Sequence, residues 1–212
     1  SLCQTIGLER SRNVVCKEFT KYVRINSVTW APLQSGRRYP GFATMVTDPS
    51  NFCVQFEDTF DCVKKLTLLL SDVPENLPVL PEEFVAPGTS CLIQFGLEAQ
   101  WNRAEISEVT SQSVVLRFID YGFLKSIPYS AIHKLKVIPE ALSYLPRLAY
   151  SCSLHGMVPA AGEYWSSEAK LLFQELLGKP GLIFHFNHYG SGMRLEVDVL
   201  YEGSNLAHSL VA

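Results

Sequence analysis

The sequence predicts an α+β fold that is mainly β, in which strand pairs and helices flank a small barrel of short strands. Residues 88–135 alternate short apolar stretches with small polar turns and show no helical period, which favours a barrel over an open sheet. On both sides of this region, strand-like alternation is accompanied by apolar residues at helical spacing. A stretch with Pro74, Pro78, Pro81 and Pro87 is incompatible with regular structure and separates the first flank from the barrel.

The first flank contains a predicted hairpin and a predicted helix. Residues 1–38 have weak periodicity and are expected to form a lead-in or linker. Residues 41–48 and 52–56 are predicted strands, joined by turn-forming residues at positions 49–51. Apolar residues at helical spacing then predict an amphipathic helix over residues 58–70.

The barrel and the second flank follow in chain order. Strands are predicted over residues 91–95, 101–109, 113–120 and 123–127, with a short closing strand over residues 132–135. Beyond them the sequence predicts a strand at 149–155, a helix at 164–177, a hairpin of residues 182–189 and 193–200, and a short helix at 205–211. We therefore expect strand pairs and helices on both sides of a self-contained barrel.

Composition places the chain among ordinary globular proteins. Its 212 residues are 47% hydrophobic and 18% charged, and its net charge of −3 argues against a protein that mainly coats nucleic acid. Its basic residues near the N-terminus (Arg10, Arg12, Lys17, Lys21 and Arg24) favour a solvated face or linker. No apolar run approaches the roughly 20 residues of a membrane span, so we expect a soluble, intracellular protein.

The cysteine and histidine pattern favours neither a disulfide framework nor a metal site. The cysteines are Cys3, Cys16, Cys53, Cys62, Cys91 and Cys152. None form a Cys-x-x-Cys pair, and several lie in apolar runs, which indicates small buried side chains in a reducing compartment. His185 and His188 have no cysteine partners nearby and are expected on opposite strand faces. We expect no metal and no cofactor.

Three segments resemble the extended Tudor domain of the germline Tudor-domain proteins. Residues 94–104 read Gln-Phe-Gly-Leu-Glu-Ala-Gln-Trp-Asn-Arg-Ala, where the family has an aromatic residue, a short acidic loop and Trp-Tyr-Arg-Ala. Residues 118–122 read Phe-Ile-Asp-Tyr-Gly, which is the family's signature at a strand end. Residues 145–156 read Leu-Pro-Arg-Leu-Ala-Tyr-Ser-Cys-Ser-Leu-His-Gly, with Trp165 beyond them. The match keeps the family's order over about residues 41–212.

The resemblance implies an architecture and a cellular role. It implies an SH3-like Tudor barrel at residues 88–138, inserted between two parts of a staphylococcal-nuclease-like, OB-type domain at residues 39–87 and 139–212. It also implies a non-catalytic module of cytoplasmic germ granules, in germline small-RNA silencing. The implied partners are arginine-rich segments of Argonaute (PIWI-class) proteins, methylated or unmethylated.

The family's ligand site is an aromatic cage, and this chain departs from it at two positions. Methylation of arginine keeps the cation but blunts its hydrogen bonding, so a reader needs the faces of aromatic rings. Four aromatic residues and an asparagine form the family's cage. By resemblance, Phe95, Phe118 and Tyr121 match the first, third and fourth aromatic residues, whereas Asn102 replaces the second and Phe123 replaces the asparagine.

Two interpretations of these departures stay open. In the first, Phe123 supplies a ring and Asn102 supplies the amide, so the two positions have exchanged roles. In the second, the cage is degenerate, and the module binds unmethylated arginine, another protein surface, or nothing through this pocket. Exchange is geometrically demanding because the two positions lie on different strands.

Each of these residues also has an ordinary structural explanation. Taken alone, Phe95 and Phe118 would be core residues of short strands, and Trp101 is expected in the core. Asp120 is expected to make a local hydrogen bond in a turn. Arg103 is expected to pair with a neighbour such as Glu105 at the surface, a contact that stabilises little.

Three other functions compete with peptide binding. A nuclease would need converging carboxylates, but the candidates are scattered and no enzyme activity is expected; they are Asp48, Glu57, Asp58, Asp61, Glu196 and Asp198. Single-stranded RNA binding by the OB-type part would use exposed rings and charge, from Tyr39, Phe42, Phe52, Arg37 and Arg38. The third is a purely architectural module, which a large exposed apolar patch would favour.

Overall fold

The computed structural model describes residues 28–160 and 162–211. Its contacts group the described residues into two compact units. The barrel unit comprises Asp61–Ile119 and Phe123–Arg147, together with residues 28 and 29. The flanking unit comprises Trp30–Phe60, Asp120–Gly122 and the described part of Leu148–Ala212. The predicted domain boundaries stay a prediction, and the N-terminal basic stretch, Cys3 and Cys16 lie outside the described residues.

The described residues contain the predicted strands and helices in the predicted order except for one closing strand, together with a short helix at Glu140–Ser143 and a short strand at Ser204–Asn205 that were not predicted. The strands are β1 (Arg38–Asp48), β2 (Asn51–Phe56), β3 (Ser90–Phe95), β4 (Gln100–Val109), β5 (Ser113–Phe118), β6 (Leu124–Pro128), β7 (Tyr150–Leu154), β8 (Ile183–Tyr189), β9 (Leu195–Tyr201) and β10 (Ser204–Asn205). The α-helices are α1 (Phe60–Ser71), α2 (Glu140–Ser143), α3 (Ser167–Leu177) and α4 (Ala207–Val211). The predicted hairpins and the two longer helices are confirmed, with α3 starting three residues later than predicted.

The flanking unit is a closed ring of strands. β1 pairs with β2, β2 with β7, β8 with β9 and β1 with β8, all antiparallel, whereas β7 and β9 are parallel. The ring order is therefore β1-β2-β7-β9-β8 and back to β1, with β10 added at β9. Five strands in a Greek-key barrel, with a helix between the third and fourth, make an OB-type fold. The predicted OB-type architecture is confirmed.

The core of this ring forms because apolar residues alternate along its strands. Leu195, Val197 and Val199 of β9 are buried, and the residues between them are half-buried. Helix α3 adds Phe173, whose ring lies 5.2 Å from that of Phe52 in a T-shaped contact. The side chain of Ser166 caps α3 by accepting a hydrogen bond from the Ala169 amide at 3.1 Å.

The barrel unit is an antiparallel meander of β3, β4, β5 and β6. A reciprocal pair of backbone hydrogen bonds between Leu92 and Lys136 adds a further chain segment beside β3. Leu92, Ile106 and Leu116 are fully buried in this unit. This is the small barrel of short strands that the sequence predicts.

The predicted closing strand at residues 132–135 is wrong. This segment belongs to a 3₁₀ helix, Tyr129–Lys134, that follows directly on β6. The Leu135 amide donates to the Ile132 carbonyl at 3.0 Å, which is the i to i+3 bond of a 3₁₀ turn. The pairing with Leu92 is made one residue later, by Lys136. Four residues are too short a segment for periodicity to separate these alternatives.

Within the described ranges, no helix is both long and apolar enough to cross a bilayer.

Candidate functional site

Two aromatic rings meet at one edge of the barrel unit. Phe95 ends β3, and Phe118 ends β5. Their ring centroids lie 5.6 Å apart at an interplanar angle of 40°. Phe118 is buried, whereas 44% of Phe95 is exposed. Phe118 therefore supports the Phe95 ring from the core, and part of that ring is left open to solvent.

Strand register explains why these rings share a face. Phe95 lies opposite Gln100 of β4, and Phe118 lies opposite Ala104 of the same strand. Directly opposed residues project to the same side of an antiparallel sheet, and so do residues two apart along a strand. Gln100 and Ala104 are four apart, so both rings project to one side.

Asn102 lies on this same face. It pairs with Ile93, two residues before Phe95, and it stands between Gln100 and Ala104 on β4. Its amide Nδ2 donates to the backbone carbonyl of Gln100 at 3.0 Å. The amide donor is thus engaged within its own strand, and the carbonyl Oδ1 is the atom that an approaching guanidinium would contact.

A cation already lies over the exposed ring. The Nζ of Lys125 is 3.2 Å from the centroid of Phe95. Lys125 is on β6 opposite Leu116, and Leu116 is two residues before Phe118 on β5, so Lys125 projects to the face of the two rings. Lys125 was not among the site residues predicted from the sequence. Its position opposite Leu116 depends on the β5–β6 register, and no short motif marks it.

Phe123 and Tyr121 lie on the turn after β5. The Phe118 amide donates to the Phe123 carbonyl at 2.8 Å, which closes this turn. Phe123 is 47% exposed, and its ring touches no other aromatic ring in the part of the chain that the structure describes. Tyr121 is grouped with the flanking unit, where its carbonyl accepts a hydrogen bond from Thr44 Oγ1 at 2.6 Å, and its side chain is 47% exposed.

Gly122 is required by the turn for two reasons. Its φ of 91° is in the left-handed region that side chains rarely adopt. A Cβ atom at this position would also lie 2.3 Å from the Sγ of Cys53. Both facts fix glycine between Tyr121 and Phe123 in the signature segment.

Of the five predicted site residues, the structure brings two into ring contact. These are Phe95 and Phe118. Asn102 shares their sheet face, Phe123 is exposed without ring contact in the described ranges, and Tyr121 belongs to the other compact unit. The ordinary alternative, that Phe95 is a core residue, is wrong, because nearly half of its surface is exposed.

Arg103 has a different role from the one expected. It is buried, and its guanidinium donates to the backbone carbonyls of Leu142, Leu145 and Pro146 at 2.7–2.9 Å. The surface pairing with Glu105 is wrong, because Glu105 instead accepts from Arg147 at 2.6 Å. Arg103 therefore supplies hydrogen-bond donors to backbone carbonyls in helix α2 and just after it. These partners are distant from Arg103 in the sequence, so the contact could not be predicted from neighbouring residues.

Two further expectations about the motif are corrected. Trp101 is half-buried, so it is not a core residue. Asp120 is buried and makes a long-range contact, since its Oδ1 accepts from the Leu148 amide at 3.4 Å. Its own carbonyl accepts from the side chain of Gln55. Asp120 therefore connects distant segments of the flanking unit, where a local turn contact was expected.

The residues proposed for RNA stacking are mostly in the core. Tyr39 and Phe52 are 3% and 0% exposed, so neither ring offers a face to a base. Phe42 is exposed, and its ring packs against Phe60 at 5.7 Å. Of the three rings predicted to stack on bases, only that of Phe42 is exposed, so these residues do not form a stacking platform.

The histidines of β8 lie on the same face, which corrects the sequence expectation. His185 pairs with Asp198 and His188 with Glu196, and a register shift falls between Phe186 and His188. Asp198 and Glu196 are two apart on β9, so the bulge brings both histidines to one side. The described residues contain no cluster of three or more His, Cys, Asp or Glu side chains that could hold a metal ion.

The cysteines behave mainly as small buried side chains. Cys53, Cys91 and Cys152 are buried, as predicted, and Cys62 is half-buried. Burial raises the pKa of the Cys91 thiol from 9.0 to about 12. Burial also raises the pKa of Cys152, with a further increase from Cys53 and an opposing effect of Arg194. Both thiols are therefore neutral near pH 7 and are poor nucleophiles.

Comparison with known proteins places this geometry in a family. The family model of the Tudor domain matches residues 34–156. Over 137 aligned residues, the chain is 31% identical to Tudor domain-containing protein 1 of Oryzias latipes, and the alignment covers 64% of this chain and 12% of that protein. The chain spans 11–14% of the length of the first curated relatives that it matches.

Solved structures share the whole fold. An extended Tudor domain of mouse TDRD1, in complex with a MILI peptide containing dimethylarginine 45, superposes with a TM-score of 0.75 at 19% identity, covering 88% of this chain and 95% of that one. An extended Tudor domain of human TDRD1, in complex with a symmetrically dimethylated peptide, gives a TM-score of 0.74 at 23% identity, covering 86% and 91%. Because the family model matches more than half of the chain and both neighbours share its architecture, the chain belongs to the Tudor-domain family and has the extended Tudor fold.

Proposed function

We propose that this chain is a non-catalytic peptide-binding module that holds an arginine side chain, methylated or unmethylated, against the exposed ring of Phe95. The observation that carries the proposal is the Phe95–Phe118 pair, in which a buried ring supports a ring that is 44% exposed. Single exposed rings are common on protein surfaces, and Phe95 is distinguished by the cation that its open face carries.

The chemistry of the ring face supports a cationic ligand. The face of an aromatic ring is electron-rich and attracts a guanidinium or ammonium within about 6 Å of its centroid. A cation of this chain, the Lys125 ammonium, lies 3.2 Å from the Phe95 centroid. The same face therefore accommodates a positive charge sterically and electrostatically.

Asn102 and Phe123 are the proposed accessory contacts. Asn102 stands on the face of the two rings, and its Oδ1 supports a hydrogen bond from a guanidinium N–H. Phe123 is exposed on the adjoining turn, which supports a contact with peptide residues beside the arginine. Tyr121 is retained as a candidate contact on its place in the signature motif.

The relatives support the ligand class. The two TDRD1 structures are complexes with dimethylated peptides, and the one from MILI carries dimethylarginine. We extend this ligand class to the present chain and propose arginine-rich segments of PIWI-class proteins, in cytoplasmic germ granules, as the partners. The activity of any longer protein that contains this chain is part of the same proposal.

The test is a calorimetric titration with three arginine–glycine peptides that differ only in the arginine: unmethylated, asymmetrically dimethylated and symmetrically dimethylated. We expect binding to at least one form, and a loss of about three- to tenfold in affinity in Phe95→Ala, the effect of one cation–π contact. Equal binding of all forms would identify arginine rather than its methylation as the ligand feature.

The matched control is Phe42→Ala in the flanking unit. Phe42 is 46% exposed and rests on the ring of Phe60 at 5.7 Å, close to the geometry of Phe95 on Phe118. We expect Phe42→Ala to bind like the wild type. If no peptide binds, or if the two variants lose affinity equally, the Phe95 site is not the arginine site, and an architectural role becomes the better explanation.

A further inference from the structure

The cation over Phe95 belongs to the chain itself, and this has a consequence for any ligand of the same ring. Lys125 Nζ lies 3.2 Å from the ring centroid, within the range of a direct cation–π contact. Lys125 has no carboxylate partner among the ion pairs of the described ranges. Within that part of the chain, the Phe95 ring is therefore the principal electrostatic partner of this ammonium.

Two cations cannot share this ring face. Phe118 covers the Phe95 ring from the core, with the two centroids 5.6 Å apart, so the exposed surface is limited. A guanidinium placed within contact distance of the same face would stand within a few ångströms of the ammonium, and like charges at that distance repel. An incoming arginine must displace Lys125 before it contacts the ring.

We propose that Lys125 is an internal competitor for the arginine site and lowers the affinity of the module for every cationic ligand of the Phe95 ring. The inference rests on the proposed function of Phe95. In the unbound protein, the Lys125 ammonium covers the Phe95 ring. In the complex, the flexible side chain of Lys125 rotates the ammonium into solvent, while its backbone stays in β6. The observed affinity is reduced by the fraction of molecules in which Lys125 covers the ring.

The competitor lowers the affinity of every ligand that uses the Phe95 ring. To displace Lys125, a ligand side chain must interact with the Phe95 ring more favourably than the Lys125 ammonium does. A guanidinium with apolar methyl groups is more weakly hydrated and covers more of the ring than an ammonium does. Displacement of Lys125 lowers the affinity of every such ligand by the same factor, so a lysine peptide, which contacts the ring no better than Lys125 does, is expected to bind most weakly.

The experiment combines charge removal with a ligand-free readout. Lys125→Gln and Lys125→Met remove the ammonium, and each is titrated calorimetrically with the three arginine–glycine peptides and with a lysine–glycine peptide. We expect both variants to bind the arginine peptides about three- to tenfold more tightly, and the affinity for the lysine peptide to rise by the same factor. Lys125→Arg keeps a cation over the ring and is expected to bind no more tightly than the wild type.

Lys134→Gln is the matched control. Lys134 is exposed on the 3₁₀ helix of the same unit, so this variant removes one positive charge without opening the ring. A general gain in attraction for cationic peptides would appear equally in Lys134→Gln. Tighter binding in the Lys125 variants alone supports the competition, whereas equal gains in both overturn it.

Proton NMR of the free protein tests the contact without any peptide. The ε-methylene protons of Lys125 are expected to be shifted upfield by the Phe95 ring current, and Phe95→Leu is expected to abolish that shift. A normal chemical shift in the wild type overturns the inference whatever the titrations show.

The remaining outcomes separate the two proposals. If the wild type binds arginine peptides and the Lys125 variants bind no better, the competition is wrong and the peptide site stands. If the variants bind and the wild type does not, both proposals are supported. If the upfield shift is present but neither wild type nor variants bind any peptide, the proposed function and the competition that depends on it both fail.

Discussion

Phe56 of the flanking unit and Phe95 of the barrel unit lie in opposite environments. In the flanking unit, the ring of Phe56 is fully buried and contacts those of Tyr39, Tyr150 and Phe184 at centroid distances of 5.0–5.9 Å. In the barrel unit, Phe95 contacts a single ring and is 44% exposed. Phe123 of the same unit is 47% exposed.

This difference shows which rings are placed where they are by their contribution to the stability of the fold. Burial of a phenylalanine side chain contributes about 1.5–3 kcal/mol, and ring–ring contacts add about 0.5–1.5 kcal/mol each. Phe56 receives both contributions in full. Phe95 receives only part of each, and its open face carries a cation instead of apolar neighbours. The position of Phe56 is explained by folding, whereas the open face of Phe95, which carries a cation, is available for binding.

Removal of one ring from each unit tests this distinction directly, and it has the largest expected effect. We expect Phe56→Ala to lower the free energy of unfolding by about 3–5 kcal/mol, since it leaves a large cavity among three rings. We expect Phe95→Ala to lower it by about 1–2 kcal/mol, because nearly half of the lost surface was exposed. Urea denaturation followed by circular dichroism measures both.

Equal destabilisation of Phe56→Ala and Phe95→Ala would contradict this distinction between the two rings. A loss of several kcal/mol in Phe95→Ala would mean that the ring has a structural role which its exposure hides. The binding defect of that variant would then have to be corrected for its folded fraction.

The sequence predicted the strands because alternation reports burial on one face of a sheet. β9 shows this well, since Leu195, Val197 and Val199 are buried and the residues between them are not. The strand end at Phe118 and the glycine at position 122 were also within reach, the latter because its positive φ needs glycine.

What the sequence could not supply is the position of side chains relative to distant segments. Arg103 was expected at the surface beside Glu105, yet it donates to carbonyls about forty residues later in the chain. His185 and His188 were expected to face opposite ways, and a bulge brings them together. Lys125 reaches Phe95 only through the register of β5 and β6. Each of these depends on tertiary pairing, which a local pattern does not encode.

We expect the interiors of the two units to bury thiols alike, so that the two units differ mainly at their surfaces. Burial raises the pKa of Cys91 in the barrel unit to about 12, and it raises the pKa of Cys152 in the flanking unit. Below pH 9 the Cys91 thiol is protonated in both folded and unfolded chains. Between pH 9 and about 12, the unfolded chain releases this proton and the folded chain keeps it, so stability falls by about 1.4 kcal/mol per pH unit.

The measurement is urea denaturation at a series of pH values from about 7 to 10.5, a range that spans the ordinary thiol pKa. Cys91→Ala is expected to be less stable than the wild type at pH 7 but to lose stability less steeply above pH 9. Cys152→Ala is expected to show the same change of slope, from the other unit. An unchanged slope in Cys91→Ala would mean that water reaches this thiol, and that the barrel core is more open than that of the flanking unit.

The smallest expected effect concerns the two positions where the cage departs from the family. Asn102→Tyr places a ring on the face that already holds Phe95 and Phe118. One added, partly exposed cation–π contact of about 0.5–1 kcal/mol corresponds to an affinity gain of about two- to fivefold for a dimethylarginine peptide. Gln112→Tyr, on an exposed turn of the same barrel, adds a tyrosine away from this face and is expected to bind like the wild type.

Phe123→Asn decides between the two interpretations of the departures. If Phe123 supplies a ring to the ligand, its loss weakens binding by about two- to fivefold, and the exchanged arrangement with Asn102 is correct. If the cage is degenerate, Phe123→Asn binds as well as the wild type or better, and the double variant Asn102→Tyr, Phe123→Asn binds more tightly than either single variant. Because Phe123 is 47% exposed and makes no ring contact in the described part of the chain, its removal costs little stability, and the affinity change reports the ligand contact itself.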